Sequence, residues 1–234
     1  MPQIGEARGA RILDGRTLVL EDGRSLRLAA ITLAEEAPDD VSATAMATLT
    51  RLLSGHMLQL HGSAAAPLDR YGRVRAQVVR EDGLWVQAEL IRQGLALVEI
   101  DTADDQADAA DLLAAERQAR AERAGRWGDA GGTGFALRRP GLAFRLIDSF
   151  QIVEGRVVAV TAQDGDLLLA LGPNRRFDLT VRIPRAGLRR FRAAGLDPRR
   201  WTGRILRARG WLRAQYGPLL DAAYPAQVEL DPSG

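Results

Sequence analysis

The chain has no cysteine and no lysine among its 234 residues. The first absence excludes disulfides, thiolate metal sites and a thiol nucleophile. The second makes every one of the 32 basic side chains an arginine, set against 30 acids for a net charge of +2. The sequence pI of about 9.6 therefore reflects permanently charged guanidinium groups more than a large excess of cations. A genome rich in G and C accounts for this bias without selection for phosphate binding. His56 and His61 are the only histidines. Five apart in an alternating strand, they point to opposite faces and make no metal pair. No stretch approaches eighteen apolar residues, and Met1–Glu6 has neither a charged nor an apolar leader pattern. A soluble, cytoplasmic chain without a transmembrane segment is expected, or a periplasmic or secreted one if a signal has been removed. Oligomeric state is not legible.

What is present reads as two small folded units. Gly128-Asp129-Ala130-Gly131-Gly132-Thr133-Gly134 is the clearest linker in the chain. The expected division is a first domain over 8–128, a linker over 129–148 and a second domain over 149–232. In the first, Leu18, Val19 and Leu20 read as a strand, Asp22-Gly23 as a hairpin turn, and Leu26, Leu28 and Ala30 as the returning strand. A helix over 42–54 with Ser42 as N-cap and Gly55 as its stop, strands over 56–62 and 73–81, and a short helix from Val86 to Gln93, ended by Gly94, follow. Leu95 to Ile100 reads as an extended link. Asp101, Asp104, Asp105, Asp108 and Asp111 lack the EF-hand pattern and suit the start of a helix over 107–124, where acids complement the dipole. Trp127 is expected to close the core.

The order Asp14-Gly15-Arg16-Thr17-Leu18, then Arg27-Leu28 with Ile31, a loop ending in Glu35, then Asp69-Arg70-Tyr71-Gly72-Arg73, then Gly94-Leu95-Ala96 and Glu116 to Trp127, resembles the staphylococcal nuclease family. The resemblance covers about residues 8–128. It implies an OB-type barrel and a phosphodiester substrate. By position, Arg27 and Arg73 would bind the scissile phosphate, Glu35 would orient or deprotonate water, and Arg70 and Tyr71 would meet the nucleotide. Paired charge-assisted bonds from guanidinium forks and a fixed carboxylate base suit that chemistry.

The same resemblance implies a changed metal position. The family turn reads Asp-Gly-Asp-Thr and its loop Asp-x-Pro-Glu, and the two calcium-ligand aspartates fall on Arg16 and Thr32. Calcium takes six to eight oxygens and draws affinity from the anionic ones, so a guanidinium and a hydroxyl do not replace them. Arg16 would bring positive charge to the cation position, join substrate binding, and could pair with Glu35. No cofactor is expected unless Asp14, with Glu35 and Glu36, builds a rearranged site, in which case Ca²⁺ would serve. The base-stacking tyrosine of the family falls on Ile100. The expected function is therefore a nuclease-family protein that binds nucleic acid or another polyanion after losing calcium-dependent hydrolysis. An active phosphodiesterase with a rearranged metal site and a non-catalytic scaffold are the alternatives.

The second half repeats the strand, strand, strand, helix, strand, strand order of an OB-type barrel: strands over 152–161, 167–171 and 177–183, a helix over 184–194, and strands over 203–215 and 226–230. The fold class expected for the whole is thus α+β, mainly β, with a nuclease-like barrel followed by a smaller one. Asp164-Gly165-Asp166 reads as a hairpin turn. Thirteen arginines fall between Arg175 and Arg213, opposed within that window only by Asp178 and Asp197. Phe177, Phe191, Trp201, Trp211 and Tyr216 interleave with them, as in basic, aromatic single-strand binders, although a barrel this size needs most of them as core.

Overall fold

The computed structural model describes residues 1–33, 39–65, 67–131, 136–137 and 146–231. It divides into two compact units, Met1–Gly134 and Phe135–Gly234. Both are mixed α+β, and among the described residues no helix is long and apolar enough to cross a membrane.

In the first unit the strands are β1 (Gln3–Ile12), β2 (Thr17–Leu20), β3 (Ser25–Leu28), β4 (Ile31–Thr32), β5 (Met57–His61), β6 (Val74–Arg80) and β7 (Leu97–Val98). The helices are α1 (Asp39–Leu53), α2 (Val86–Arg92) and α3 (Ala103–Ala121), and a 3₁₀ turn runs from Gly125 to Gly131. Pairing runs β1-β2-β3-β6-β5 and returns to β1, closing a five-stranded barrel. It closes because β1 is long enough to serve two partners: Gln3 to Arg8 pair with β5, and Gly9 to Ile12 pair with β2 across a register shift. Strand period two then sends Leu18, Leu26, Leu28, Leu58, Leu60 and Val78 inward, all fully buried. Trp127 is buried too, with Arg120 stacked 4.8 Å from its ring centre. Within α2, the buried Gln87 accepts from the Val78 amide at 3.0 Å and donates to the Ala76 carbonyl at 2.9 Å. The Val78 amide is satisfied in this way, and the Ala76 carbonyl, which also accepts the Ala29 amide at 2.9 Å, takes a second bond.

Two helix starts differ from expectation. α1 begins at Asp39, so Ser42 lies inside the helix. α3 begins at Ala103 because Thr102 and Asp105 form a reciprocal capping box, four residues ahead of the expected start. The strand β1 was not foreseen at all.

The second unit holds β8 (Ala136–Leu137), β9 (Phe150–Arg156), β10 (Ala159–Gln163), β11 (Asp166–Ala170), β12 (Thr180–Ile183), α4 (Arg185–Ala193), β13 (Ile205–Ala214), β14 (Pro218–Asp221) and β15 (Val228–Leu230). The pairing path β10-β11-β12-β14-β13-β9-β8 is open, in place of the closed second barrel expected. Its connectivity nevertheless repeats that of the first unit. β10-β11, β11-β12, β14-β13 and β13-β9 are antiparallel, while β12-β14 is parallel, as β3-β6 is. The place of β1 is taken by β9 and β10, split at Val157-Val158. The Val157 amide bonds back to Arg204, and the Val158 amide bonds across to Ala170. The strand completing this order is β14, not 226–230; the latter shortens to β15 and pairs with β13 at the side. Phe191 and Trp201 meet edge to face at 5.9 Å in the core. Trp211, half-buried, meets Phe150 in the same manner at 6.3 Å.

Candidate phosphodiester site

β4 and β7 are only two residues each, yet they assemble the site. Ile31 pairs with Val98 and Thr32 with Leu97, and the Glu99 amide bonds to the Ala30 carbonyl at 3.0 Å. The buried Glu116 carboxylate of α3 accepts from the Val98 amide at 3.1 Å and fixes the strand from its other side. Thr32 and Glu99 thereby lie at one end of the barrel. The turn Leu13–Thr17 comes up against them: the Asp14 carboxylate accepts the Arg16 amide at 2.8 Å, and a Cβ on Gly15 would overlap the Leu33 side chain.

Arg16 reaches across this gap. Its Nη1 donates to Thr32 Oγ1 at 3.0 Å and to Glu99 Oε2 at 3.2 Å. Arg27, from β3, donates Nη2 to the same Glu99 oxygen at 3.1 Å. The Glu99 side chain is 2% exposed, whereas the two arginines keep about a fifth of theirs. One buried carboxylate thus holds two guanidinium groups. Burial lowers the Arg27 pKa, the neighbouring charges of Arg16, Arg73 and Arg75 lower it further, and Glu99 opposes them. Arg27 remains a cation, since no accessible pH removes its proton.

A second layer lies behind it. Arg75, the register partner of Arg27 on β6, donates Nη2 to both Asp105 oxygens at 2.7 and 2.6 Å. Asp105 is fully buried and also caps α3. Its role exceeds the helix-dipole complement expected of that acidic run. Asp101 stands beside it, and desolvation followed by the charges of Glu99 and Asp105 pushes its carboxyl up to about 6.

The Asp69–Arg73 segment forms a tight turn with Gly72 at φ +73. Asp69 accepts from the Tyr71 and Arg73 amides and from Arg73 Nε, the last at 2.7 Å. Those bonds outweigh its partial burial and hold its pKa low. Tyr71 stands exposed, with Arg70 and Arg73 against its ring at 4.8 and 5.0 Å. Residues 26–129, which carry Arg27, this turn and Glu99, match the family model described as staphylococcal nuclease homologue. Over those residues the first unit is similar to the staphylococcal nuclease homologues. A search of curated proteins finds no match to the chain.

Of the residues singled out in the sequence, Arg16 and Arg27 share one carboxylate, and Arg73 is near enough for its charge to act on Arg27. Arg70 and Tyr71 share the neighbouring turn. Glu35 and Glu36 lie outside the described residues, and with them the expected Arg16–Glu35 pair. Asp14 uses one carboxylate oxygen to close its own turn. Among the described residues no group of three acids or histidines is arranged to hold a metal. Sequence reasoning missed Glu99, Arg75 and the structural part of Asp105. The available signal was Glu99 itself, a single charge within the apolar run Leu95 to Ile100.

The basic run of the second unit is less exposed than its composition suggests. Arg207 is 3% exposed and bonds Glu154 at 2.7 Å and Glu229 at 3.4 Å, while the equally buried Arg209 reaches Glu229 at 3.1 Å. Arg182 is held by Asp221 through two bonds of 2.6 and 2.8 Å, and Arg204 pairs with Asp231. The carboxylates that oppose the run stand outside its sequence window. Phe191 and Trp201 are core, as expected of most of these aromatics, but Phe177 and Tyr216 are exposed.

Proposed function

We propose that the nuclease-homologue unit binds nucleic acid or another phosphodiester polymer and has lost calcium-dependent hydrolysis. The single observation behind this reading is the Arg16 guanidinium, within hydrogen-bond distance of Thr32 and Glu99 at the position where the family resemblance puts calcium. A divalent cation there would face a fixed positive group and a neutral hydroxyl, a donor set that does not suit calcium. A guanidinium can offset phosphate charge, but it cannot lower the pKa of a bound water as a metal does. Arg27 and Arg73 supply fork-shaped donors for phosphate oxygens, and Tyr71 with Arg70 offers an exposed ring and a cation beside them. Both units are read as OB-type folds, which commonly bind single strands.

The test uses the full chain with labelled single-stranded DNA and RNA in calcium buffer. Binding that weakens steeply with salt, without cleavage, is expected. Cleavage abolished by Arg73→Ala would instead favour the phosphodiesterase alternative, and no binding at low salt would leave the scaffold. Arg16→Asp combined with Thr32→Asp should create calcium affinity, read by titration calorimetry.

A further inference from the structure

The second unit has a groove on the outer face of its sheet that the core does not use. Leu167, Leu169, Val181 and Leu220 point inward to the core. Leu168 and Leu219 alternate with them and belong to the opposite face, where register sets Leu168 beside Arg182 and Leu219 beside Arg213. Those two leucines, 7% and 5% exposed, form an apolar floor that the side chains around it largely cover. Gln163, Arg182 and Gln215 line the walls, and Arg175 and Tyr216 the rim, of an opening of about 100 Å³.

Three loops fix this rim. Asp164-Gly165 makes a tight turn with φ +52 and +89, as two-residue hairpin turns require. Gly172 to Asp178 is tied internally: Asn174 accepts the Phe177 and Asp178 amides through its carbonyl, and Asp178 accepts the Asn174 amide at 2.9 Å. The third loop, Gln215–Gly217, lies backbone to backbone on the second. A Cβ at Gly217 would overlap the Arg175 carbonyl oxygen. The result is that Phe177 and Tyr216 stand on adjoining, braced loops. They are 55% and 90% exposed, and Tyr216 is held at φ +57, a region that non-glycine residues seldom occupy.

Charge around the groove is divided by role. Arg182 is neutralised by Asp221 and donates to Gln215 Oε1 at 3.3 Å, leaving the Gln215 amide hydrogens to be used elsewhere. Asp166 accepts the Arg185 amide at the start of α4. Asp164 adds one acidic group to the rim. Arg175, Arg176 and Arg213 are exposed and have no ion pair among the described residues. An apolar floor, planar amides on the walls, two exposed rings and unpaired guanidinium groups at the edge match the parts of a nucleotide in turn. Rings stack with bases of any sequence, amides meet base edges, and arginines take phosphates.

The geometry points to a single-stranded nucleic-acid site in this groove, with a base stacked on Tyr216, a neighbour on Phe177, and the backbone drawn along Arg175, Arg176 and Arg213. Duplex DNA is a poor ligand, because its bases are already stacked on one another. This site stands on its own residues and does not depend on the reading of the first unit.

Binding of fluorescein-labelled oligothymidylate to the full chain, followed by anisotropy at low and rising salt, tests it. Tyr216→Ala should weaken binding about 5- to 150-fold, the effect of losing one stacked base, while Tyr216→Phe stays within about twofold. Arg175→Ala with Arg176→Ala should flatten the salt dependence by about 1.4, or 0.7 for each single-strand phosphate released. An oligomer carrying iodouracil should photocrosslink to the Tyr216 or Phe177 peptide. The inference is overturned if the wild type does not bind, if Tyr216→Ala and Phe177→Ala both bind as it does, or if duplex of equal length competes as well as the single strand. Loss in Arg73→Ala alone overturns this site and keeps the first-unit reading; loss in Tyr216→Ala alone upholds this site and removes that reading.

Discussion

Glu99 in the first unit and Arg207 in the second occupy the same kind of position with opposite charge. Each is almost wholly buried, and each holds two partially exposed partners of the other sign: Arg16 and Arg27 around Glu99, Glu154 and Glu229 around Arg207. The surroundings therefore differ in what they can present. The first arrangement turns guanidinium groups toward the barrel end, whereas the second withdraws one into the sheet. Arginine number alone does not predict a cationic surface, because the location of the carboxylate decides which arginines remain available.

Removing each hub separates the two cases. Glu99→Gln leaves two guanidinium groups side by side that cannot discharge at any accessible pH. It should cost about 4 kcal/mol in urea unfolding of the first unit, with little pH dependence from this pair, as expected for breaking a buried ion pair. The variant should also bind single-stranded oligonucleotide more tightly, since Arg16 and Arg27 lose their internal counter-charge. Unchanged stability would mean that the Glu99 network is solvated and the comparison fails.

Arg207→Met should cost less, about 2 kcal/mol at neutral pH. Methionine keeps much of the apolar stem packing, Glu229 keeps its bond to Arg209, and Glu154, left without its partner, can take up a proton. The deficit should therefore shrink as the pH falls toward 5, in contrast to Glu99→Gln. Parallel pH series of urea midpoints for the two variants provide the measurement.

The loops that bring each rim together can be compared in the same way. A Cβ at Gly217 would strike backbone, and its φ of +133 disfavours any other residue; a Cβ at Gly15 would strike only the Leu33 side chain, which can rotate. Gly217→Ala should cost about 1–2 kcal/mol and Gly15→Ala less than that, measured by thermal unfolding. Equal effects would show that the second-unit loops can separate without loss.

How much of this was legible in the sequence depended on range. The hairpin turns at Asp22-Gly23 and Asp164-Gly165 and the strands β2, β3, β5, β6 and β11 are set by residues close together, and their turn and alternation signals were read. The Arg16 substitution was read too, yet its partner was not, because Glu99 is 83 residues away. Its importance depends on the pairing of two two-residue strands that leave almost no pattern. β14 was missed for a related reason: it is four residues long, opens on Pro218 and follows a turn in which Tyr216 and Gly217 both have φ > 0, and the first of these is not the glycine, asparagine or aspartate that usually marks one. The start of α3, by contrast, was available in the sequence. Thr102 with Asp105 three residues on is a capping-box spacing, which the dense acidic run obscured.

The smallest expected effect concerns Asp101, and it would sharpen the account of the second layer behind the site. Desolvation, then the Glu99 and Asp105 charges, raise its carboxyl to about 6, with Arg75 and Arg27 pulling the other way. The unfolded value is about 3.9, so between roughly pH 4 and 6 the folded chain holds this proton more tightly than the unfolded chain does. The contribution of Asp101 to stability is therefore most favourable below that window and is lost as the pH rises through it. Asp101→Asn removes the charge without removing a buried partner, since the side chain still meets solvent. It should raise the neutral-pH stability of the first unit by less than about 1 kcal/mol, because solvent screens the interaction, and flatten the slope between pH 4 and 6. A wild-type slope of the opposite sign, in urea midpoints corrected with the variant, would show that Arg75 and Arg27 dominate at Asp101 and that the cluster is net cationic there.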